Sequence, residues 1–179
     1  TGAKQAGSLL ALVGARRDEC GGSAYYSALG ELGARVPTVD FDREREEMHA
    51  VVDAIDDGLL LACHDISDGG LAVTLAEMLI CGRSSSGLGA RINLNHLESN
   101  LPPDKLLFSE SGGFVLEFDP EARGSLEKLF ARRGVKLYPL GTVSSEAELV
   151  ITADGEEILN LSCEAMRGAW RDALPRAMR

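Results

Sequence analysis

The chain has 179 residues, 45% of them apolar and 26% charged, the size and balance of a single globular domain with a core of its own. Its formal charge of −10 argues against a nucleic-acid surface, which draws its affinity from clustered Lys and Arg. No run approaches the roughly 18 apolar residues of a membrane span, and Thr1 to Gly7 has neither the basic start nor the apolar stretch of a signal peptide, so a soluble cytoplasmic protein is expected.

Gly7 to Gly14 (GSLLALVG) is a short apolar run between glycines and predicts a buried strand. After a glycine-rich turn, Ser23 is placed to cap a helix through about Leu32, carrying Tyr25, Tyr26, Leu29 and Leu32 and ending at Gly33. Asp42 to Asp57 predicts a second amphipathic helix with Met48, Val51, Val52 and Ile55 on its inner stripe. Leu59 to Cys63 predicts a strand that delivers His64 and Asp65 at its carboxyl edge, where α/β sheets hold ligands. Gly69 to Ile80 is apolar almost all round, as a helix near the core would be.

Strands are expected at 90–94, 113–118, 135–143 and 149–152, with a partner at 156–161 across the hairpin signal Asp154-Gly155. Asp119-Pro120 opens a helix to about Arg133, and a last helix begins near Ser162. The order implies an α/β (α+β) fold: a mixed sheet covered by helices, with no internal repeat. Cys20, Cys63, Cys81 and Cys163 contain no Cys-x-x-Cys pair and read as reduced thiols. Cys81 is expected as a core thiol at a helix end.

The informative segment is His64-Asp65-Ile66-Ser67-Asp68-Gly69-Gly70. Asp65 and Asp68 offer the hard oxygens that Mg²⁺ takes alongside water and substrate phosphates, and Ser67 adds a hydroxyl. Gly69 and Gly70 let backbone N–H groups approach an anion at a helix N-terminus. The same Asp-Gly-Gly is equally an ordinary turn followed by a cap, with Asp68 as the capping side chain. His64 reads as a hydrogen-bonding residue before a general base, and Glu77 as a partner of a basic or backbone group.

HDISDGGLAVTLAEM at His64 to Met78 closely resembles the signature of the C-terminal domains of phosphoribosylformylglycinamidine synthases, within the AIR-synthase-related superfamily. ECGGSAYY at Glu19 to Tyr26, RVPTVD at Arg35 to Asp40 and LFSESGG at Leu107 to Gly113 are similar to family segments in the same order. The resemblance implies a three-layer α/β/α domain over residues 1–179, a fragment of a larger enzyme. That domain packs against a companion AIR-synthase N-terminal domain, with ATP and Mg²⁺ at the junction.

The implied reaction converts formylglycinamide ribonucleotide to its amidine with ammonia from a glutaminase subunit or domain. No residue of this chain is expected to act as a catalytic nucleophile, and the isolated domain is expected to be inactive. Asp65 matches a Mg²⁺ ligand, with Asp68 as a second candidate; Ser67, Gly69 and Gly70 match the nucleotide's phosphate end, and Glu110 is a further contact. Two other readings stay open: a nucleotide site kept for structure in the same enzyme, or a sister enzyme of the superfamily, of which thiamine-monophosphate kinase is one. Cys20 stands where the family usually has Leu, and Phe114 where some members have Arg.

Overall fold

The computed structural model describes residues 2–81, 87–97 and 99–178. Alternation along the first strand, β1 (Leu9–Val13), sorts the molecule into layers. Leu10 and Leu12 point into one core, while Ala11 and Val13 point into a second on the opposite face. The remaining strands are β2 (Ala62–Asp65), β3 (Gly89–Asn93), β4 (Phe114–Phe118), β5 (Leu137–Ser144), β6 (Glu148–Ala153) and β7 (Glu156–Ser162), in the order β2-β4-β1-β5-β3-β6-β7. Only β3 and β6 run parallel, so the sheet is mixed.

On the first face lie α3 (Gly70–Ile80), α4 (Pro103–Phe108) and α6 (Cys163–Ala177); Leu71, Leu75, Leu106, Leu107 and Met166 join Ile92, Leu140 and Ile151 of the sheet. On the other, α2 (Phe41–Asp56) and α5 (Arg123–Arg132) cover β1 and β4 with Ala50, Val51, Ala54, Leu126, Leu129 and Phe130. This is the three-layer arrangement that the sequence led us to expect. Asp119 caps the short 3-10 turn that leads into α5, accepting from Glu121 N at 2.9 Å. Asp154 and Gly155 both take positive φ in the β6–β7 hairpin.

Several expectations need correction. The helix expected from Ser23 to Leu32 is only α1 (Ala24–Ala28), because Gly30 at φ +74° turns the chain out, and Leu29 and Leu32 are exposed. The inner face of α2 is Glu47, Ala50, Val51 and Ala54; Met48, Val52 and Ile55 face outward. Small side chains sit inward and let the helix lie close on the sheet. The strand expected at 59–63 is displaced to Ala62–Asp65, since pairing with Glu117–Phe114 of β4 sets its range. Helix α4 was not expected.

Candidate functional site

Strand β2 is an edge strand, and its last residues meet the start of α3. Ile66 is buried and donates its N–H to Gly113 O at 2.8 Å, carrying the chain past the strand in register with the Ser109–Gly113 loop. Ser67 and Asp68 then turn outward and are exposed. Thr74 Oγ1 donates to Gly70 O at 3.1 Å and approaches Asp65 O at 3.2 Å, which pins the first turn of α3 to the end of β2.

Gly69 and Gly70 adopt φ +81° and +66°. Gly70 has a second constraint: a Cβ there would lie 2.7 Å from both Leu107 O and Ser109 O. The double glycine is thus required for α3 to enter beside the end of α4, whatever else it does. Asp68 does not cap α3; the N-cap is Gly69, with no side-chain cap, which corrects the capping reading of Asp68.

The cap function comes from far along the chain. Glu110 Oε1 accepts from Gly69 N at 2.8 Å and from Ala24 N at 2.9 Å, so one carboxylate holds the N-terminal ends of α3 and α1 together. Glu110 and Gly69 therefore do meet, but through each other. The positive end of α3 already faces an anion of the protein itself.

Asp65 has a side chain 68% exposed, beside His64, whose Nδ1 lies 3.4 Å from Asp65 Oδ1 and 2.9 Å from Asp65 O. His64 Nε2 lies 3.5 Å from Glu77 Oε2, so Glu77 has the basic partner anticipated for it. Among the described residues no group of three or more His, Cys, Asp or Glu side chains converges to hold a metal. Asp65 and Asp68 offer outward carboxylate oxygens to water, a donor set that fits Mg²⁺ arriving with a polyphosphate and not an all-protein cage.

Sequence reasoning missed the network behind this loop. Arg16, 7% exposed, donates Nη1 to Ser109 O at 3.2 Å and Nη2 to the carbonyls of Ser111 and Gly112. Burial pulls its pKa down to about 10, opposed by the charge of Glu47. Glu19 accepts from Ser111 Oγ at 3.0 Å and from Thr38 Oγ1 at 2.6 Å; burial alone would raise its pKa, but these bonds and Arg17 hold it below the usual carboxylate range. Two arginines, two residues beyond the end of a buried strand, were the available signal. Phe114 pairs with Asp65 and Val13 in the sheet, and the cation beside the Ser109–Gly113 loop is Arg16.

None of the four cysteines is in a disulfide. Burial raises the thiol pKa of Cys20 and Cys163 and pushes that of Cys63 up to about 11. Cys81 ends α3 but is exposed, correcting its assignment to the core.

The family model for the AIR synthase related protein, C-terminal domain, matches residues 5–154. The phosphoribosylformylglycinamidine synthase subunit PurL of Methanothrix thermoacetophila is 41% identical over 177 residues, 98% of this chain and 22% of that protein. The PurL subunit of Moorella thermoacetica is 38% identical over 176 residues, 97% and 23% of the two chains. The chain thus spans less than a quarter of the length of these relatives. Thermotoga maritima PurL complexed with FGAR superposes with a TM-score of 0.81 at 16% identity, covering 93% of this chain and 29% of that one. The same protein complexed with ATP gives 0.74 at 16% identity, covering 93% and 27%. At that identity the likeness speaks for the fold alone. With the three-layer architecture and a family match over most of its length, the chain belongs to the AIR synthase related protein, C-terminal domain family.

Proposed function

We propose that this chain is the C-terminal domain of a PurL subunit of phosphoribosylformylglycinamidine synthase, a cytoplasmic enzyme, and that its β2–α3 loop forms one wall of an ATP site. The observation that carries this reading is 41% identity to a PurL subunit across 98% of the chain, with the HDISDGG segment at a strand's carboxyl end. The reaction would be ATP-dependent conversion of formylglycinamide ribonucleotide to its amidine with glutamine-derived ammonia: phosphoryl transfer activates the formamide oxygen, and ammonia displaces phosphate. Such chemistry draws on positioning and charge neutralisation more than on a protein nucleophile.

Asp65 and Asp68 would hold Mg²⁺, which supplies positive charge against the polyphosphate. Ser67 would contact the nucleotide. Because Gly69 N–H is engaged by Glu110, the phosphates would lie outside the α3 axis, with Glu110 holding the loop in shape and Gly70 fixing its turn. A nucleotide held for structure is the second reading, favoured by that same occupied helix end.

The partners follow from the size of the relatives and from the surface. Leu29, Leu32, Val36, Val39 and Phe41 are exposed, as are Met48, Val52 and Ile55 on α2. So many exposed large apolar side chains between residues 29 and 55 favour a contact surface. We assign it to the companion N-terminal domain of the same polypeptide, since more than three-quarters of each relative lies outside the matched region. A solved Thermotoga maritima assembly is described as PurLQS, in keeping with a separate glutaminase subunit. Alone, this domain would bind ATP–Mg²⁺ weakly and be inactive.

Asp65→Asn in the complete enzyme tests the reading, since it keeps shape and removes charge. Apparent Mg²⁺ affinity and ammonia-dependent ATP hydrolysis should fall on the order of tenfold to a hundredfold with folding intact. A loss confined to thermal stability would support the structural site. No change in activity, metal dependence or melting temperature would leave Asp65 a turn residue and sink both.

A further inference from the structure

Arg16 is a buried charge to which the ATP reading gives no part. Its Nη1 and Nη2 donate to the carbonyls of Ser109, Ser111 and Gly112, and its Nε–H is sealed from water without a partner among the described residues. It is not held by a salt bridge: Glu47, whose charge opposes its desolvation, is bonded to Arg43 at 2.8 Å. On stability alone such a residue is a poor choice. Burial works against its charge, one donor is left unused, and an apolar side chain of similar volume would fill the space without either penalty.

What the guanidinium supplies is the shape of Ser109–Gly113, a stretch that belongs to no helix or strand. Three of its carbonyls converge on one planar fork, an arrangement that a lysine amine does not reproduce. The stretch in turn brackets Ile66–Gly69. Gly113 O accepts from Ile66 N at 2.8 Å at one end, and Glu110 Oε1 accepts from Gly69 N at 2.8 Å at the other. Ser67 and Asp68 lie between these two bonds, and Asp65 directly precedes them. The close approach that lets Arg16 reach the stretch depends on two glycines: a Cβ at Gly14 would lie 3.0 Å from Gly113 Cα, and one at Gly113 would lie 3.2 Å from Arg16 Nη2. Glu19 holds the same stretch from the side, accepting from Ser111 Oγ at 3.0 Å.

We propose that Arg16 is a positioning residue for the ATP reaction: it fixes Ser109–Gly113, which in turn holds Asp65, Ser67 and Asp68 where Mg²⁺ and the polyphosphate meet them. This assignment rests on the reading of the β2–α3 loop as one wall of an ATP site. Arg16 touches neither the metal nor the nucleotide, and its whole effect is on geometry. A misplacement of about 1 Å at a reacting group lowers a rate by on the order of a hundredfold, so a loop allowed to shift by less still registers in the kinetics.

The test places Arg16→Lys beside Asp65→Asn in the complete enzyme, with melting temperature as the control for folding. Ammonia-dependent kinetics and hydrogen exchange of the peptide spanning residues 64–70 are the two readouts. Arg16→Lys should raise the KM for Mg–ATP about fivefold or more and speed exchange of the amides of residues 66–69 about tenfold. A purely structural role would lower the amount of folded enzyme, and with it the apparent kcat, while KM and the exchange of the folded form stayed as they were. Arg16→Met removes the buried charge together with its donors; it should show the same two changes and keeps the test open if Arg16→Lys does not fold. Either readout unchanged in a folded variant overturns the assignment, as does failure of both variants to fold. If Arg16→Lys changes nothing while Asp65→Asn lowers Mg²⁺ affinity, the ATP reading stands and the role of Arg16 alone is lost. If Asp65→Asn moves neither metal dependence nor activity, the ATP reading has failed and this assignment with it.

Discussion

Removing the carboxylate of Glu110 should loosen two helix ends at once. Its bond to Gly69 N, at 2.8 Å, is part-buried, and hydrogen bonds to an ionised group contribute about 1.5–3 kcal/mol. The bond to Ala24 N, at 2.9 Å, is exposed and contributes less, about 0.5–1 kcal/mol. Glu110→Ala should therefore cost about 2–4 kcal/mol, and Glu110→Gln, which keeps an acceptor oxygen without the charge, about 1–2 kcal/mol. In urea unfolding, with an m-value of about 2 kcal/mol/M, the alanine variant should lose about 1–2 M from its midpoint at unchanged m. Hydrogen exchange at Gly69 should accelerate in step. A midpoint for Glu110→Ala within about 0.25 M of the parent would refute the account. The nucleotide affinity of the complete enzyme separates holding the loop from touching the ligand. If Glu110 only holds the loop, Glu110→Gln leaves affinity unchanged or raises it by removing a negative charge near the phosphates. A drop of about tenfold would make it a direct contact.

Gly70→Ala and Gly58→Ala share φ +66°, but only at Gly70 would the new Cβ meet backbone oxygens, at 2.7 Å. The first should cost about 3 kcal/mol or more and the second about 1–2 kcal/mol by urea denaturation, so equal losses would remove the steric argument. Iodoacetamide at pH 8 should modify Cys81 well ahead of Cys20, Cys63 and Cys163, as read by peptide mass mapping. Because the folded Cys63 thiol holds its proton up to about 11 against 9 unfolded, its contribution to stability is complete below pH 9 and lost between 9 and 11. Urea midpoints that rise over pH 9–10 would contradict that sign. Met48→Asp with Val52→Asp should leave the melting temperature of this chain within about 2 °C, since both side chains are exposed, yet lower that of the complete enzyme if the proposed companion domain covers them.

The β2–α3 loop was legible because its signals are local: a buried strand, three oxygen-bearing residues and two glycines within one short segment. Its partners were not. Glu110 reaches Gly69 across 41 positions and Ala24 across 86, and Arg16 reaches Ser109 across 93, distances over which periodicity carries no information. The stripe on α2 was misread for a physical reason. Periodicity finds the more apolar face, and that face need not be the one packed on the domain's own sheet. Alanines at 50 and 54 occupy the inner face and leave Met48, Val52 and Ile55 outside. Helix α4 escaped because six residues, the first of them the second of two prolines, are too few to show a period.

Glu117 lies on β4, the strand next to the edge strand β2, and is fully buried. Its carboxylate accepts from the backbone of Lys4 and Gln5 at 2.9–3.1 Å and from Ser8 Oγ at 2.7 Å, contacts that close loops of 109 to 113 residues. The charge therefore cannot leave water until the segment ahead of β1 has arrived, which makes completion of β4 a late, long-range event in folding. The same stitch sets a limit for engineering. Trimming the chain beyond Gln5 would strand a buried carboxylate within the sheet, whereas a permuted chain that rejoins those residues through a new linker would keep it satisfied.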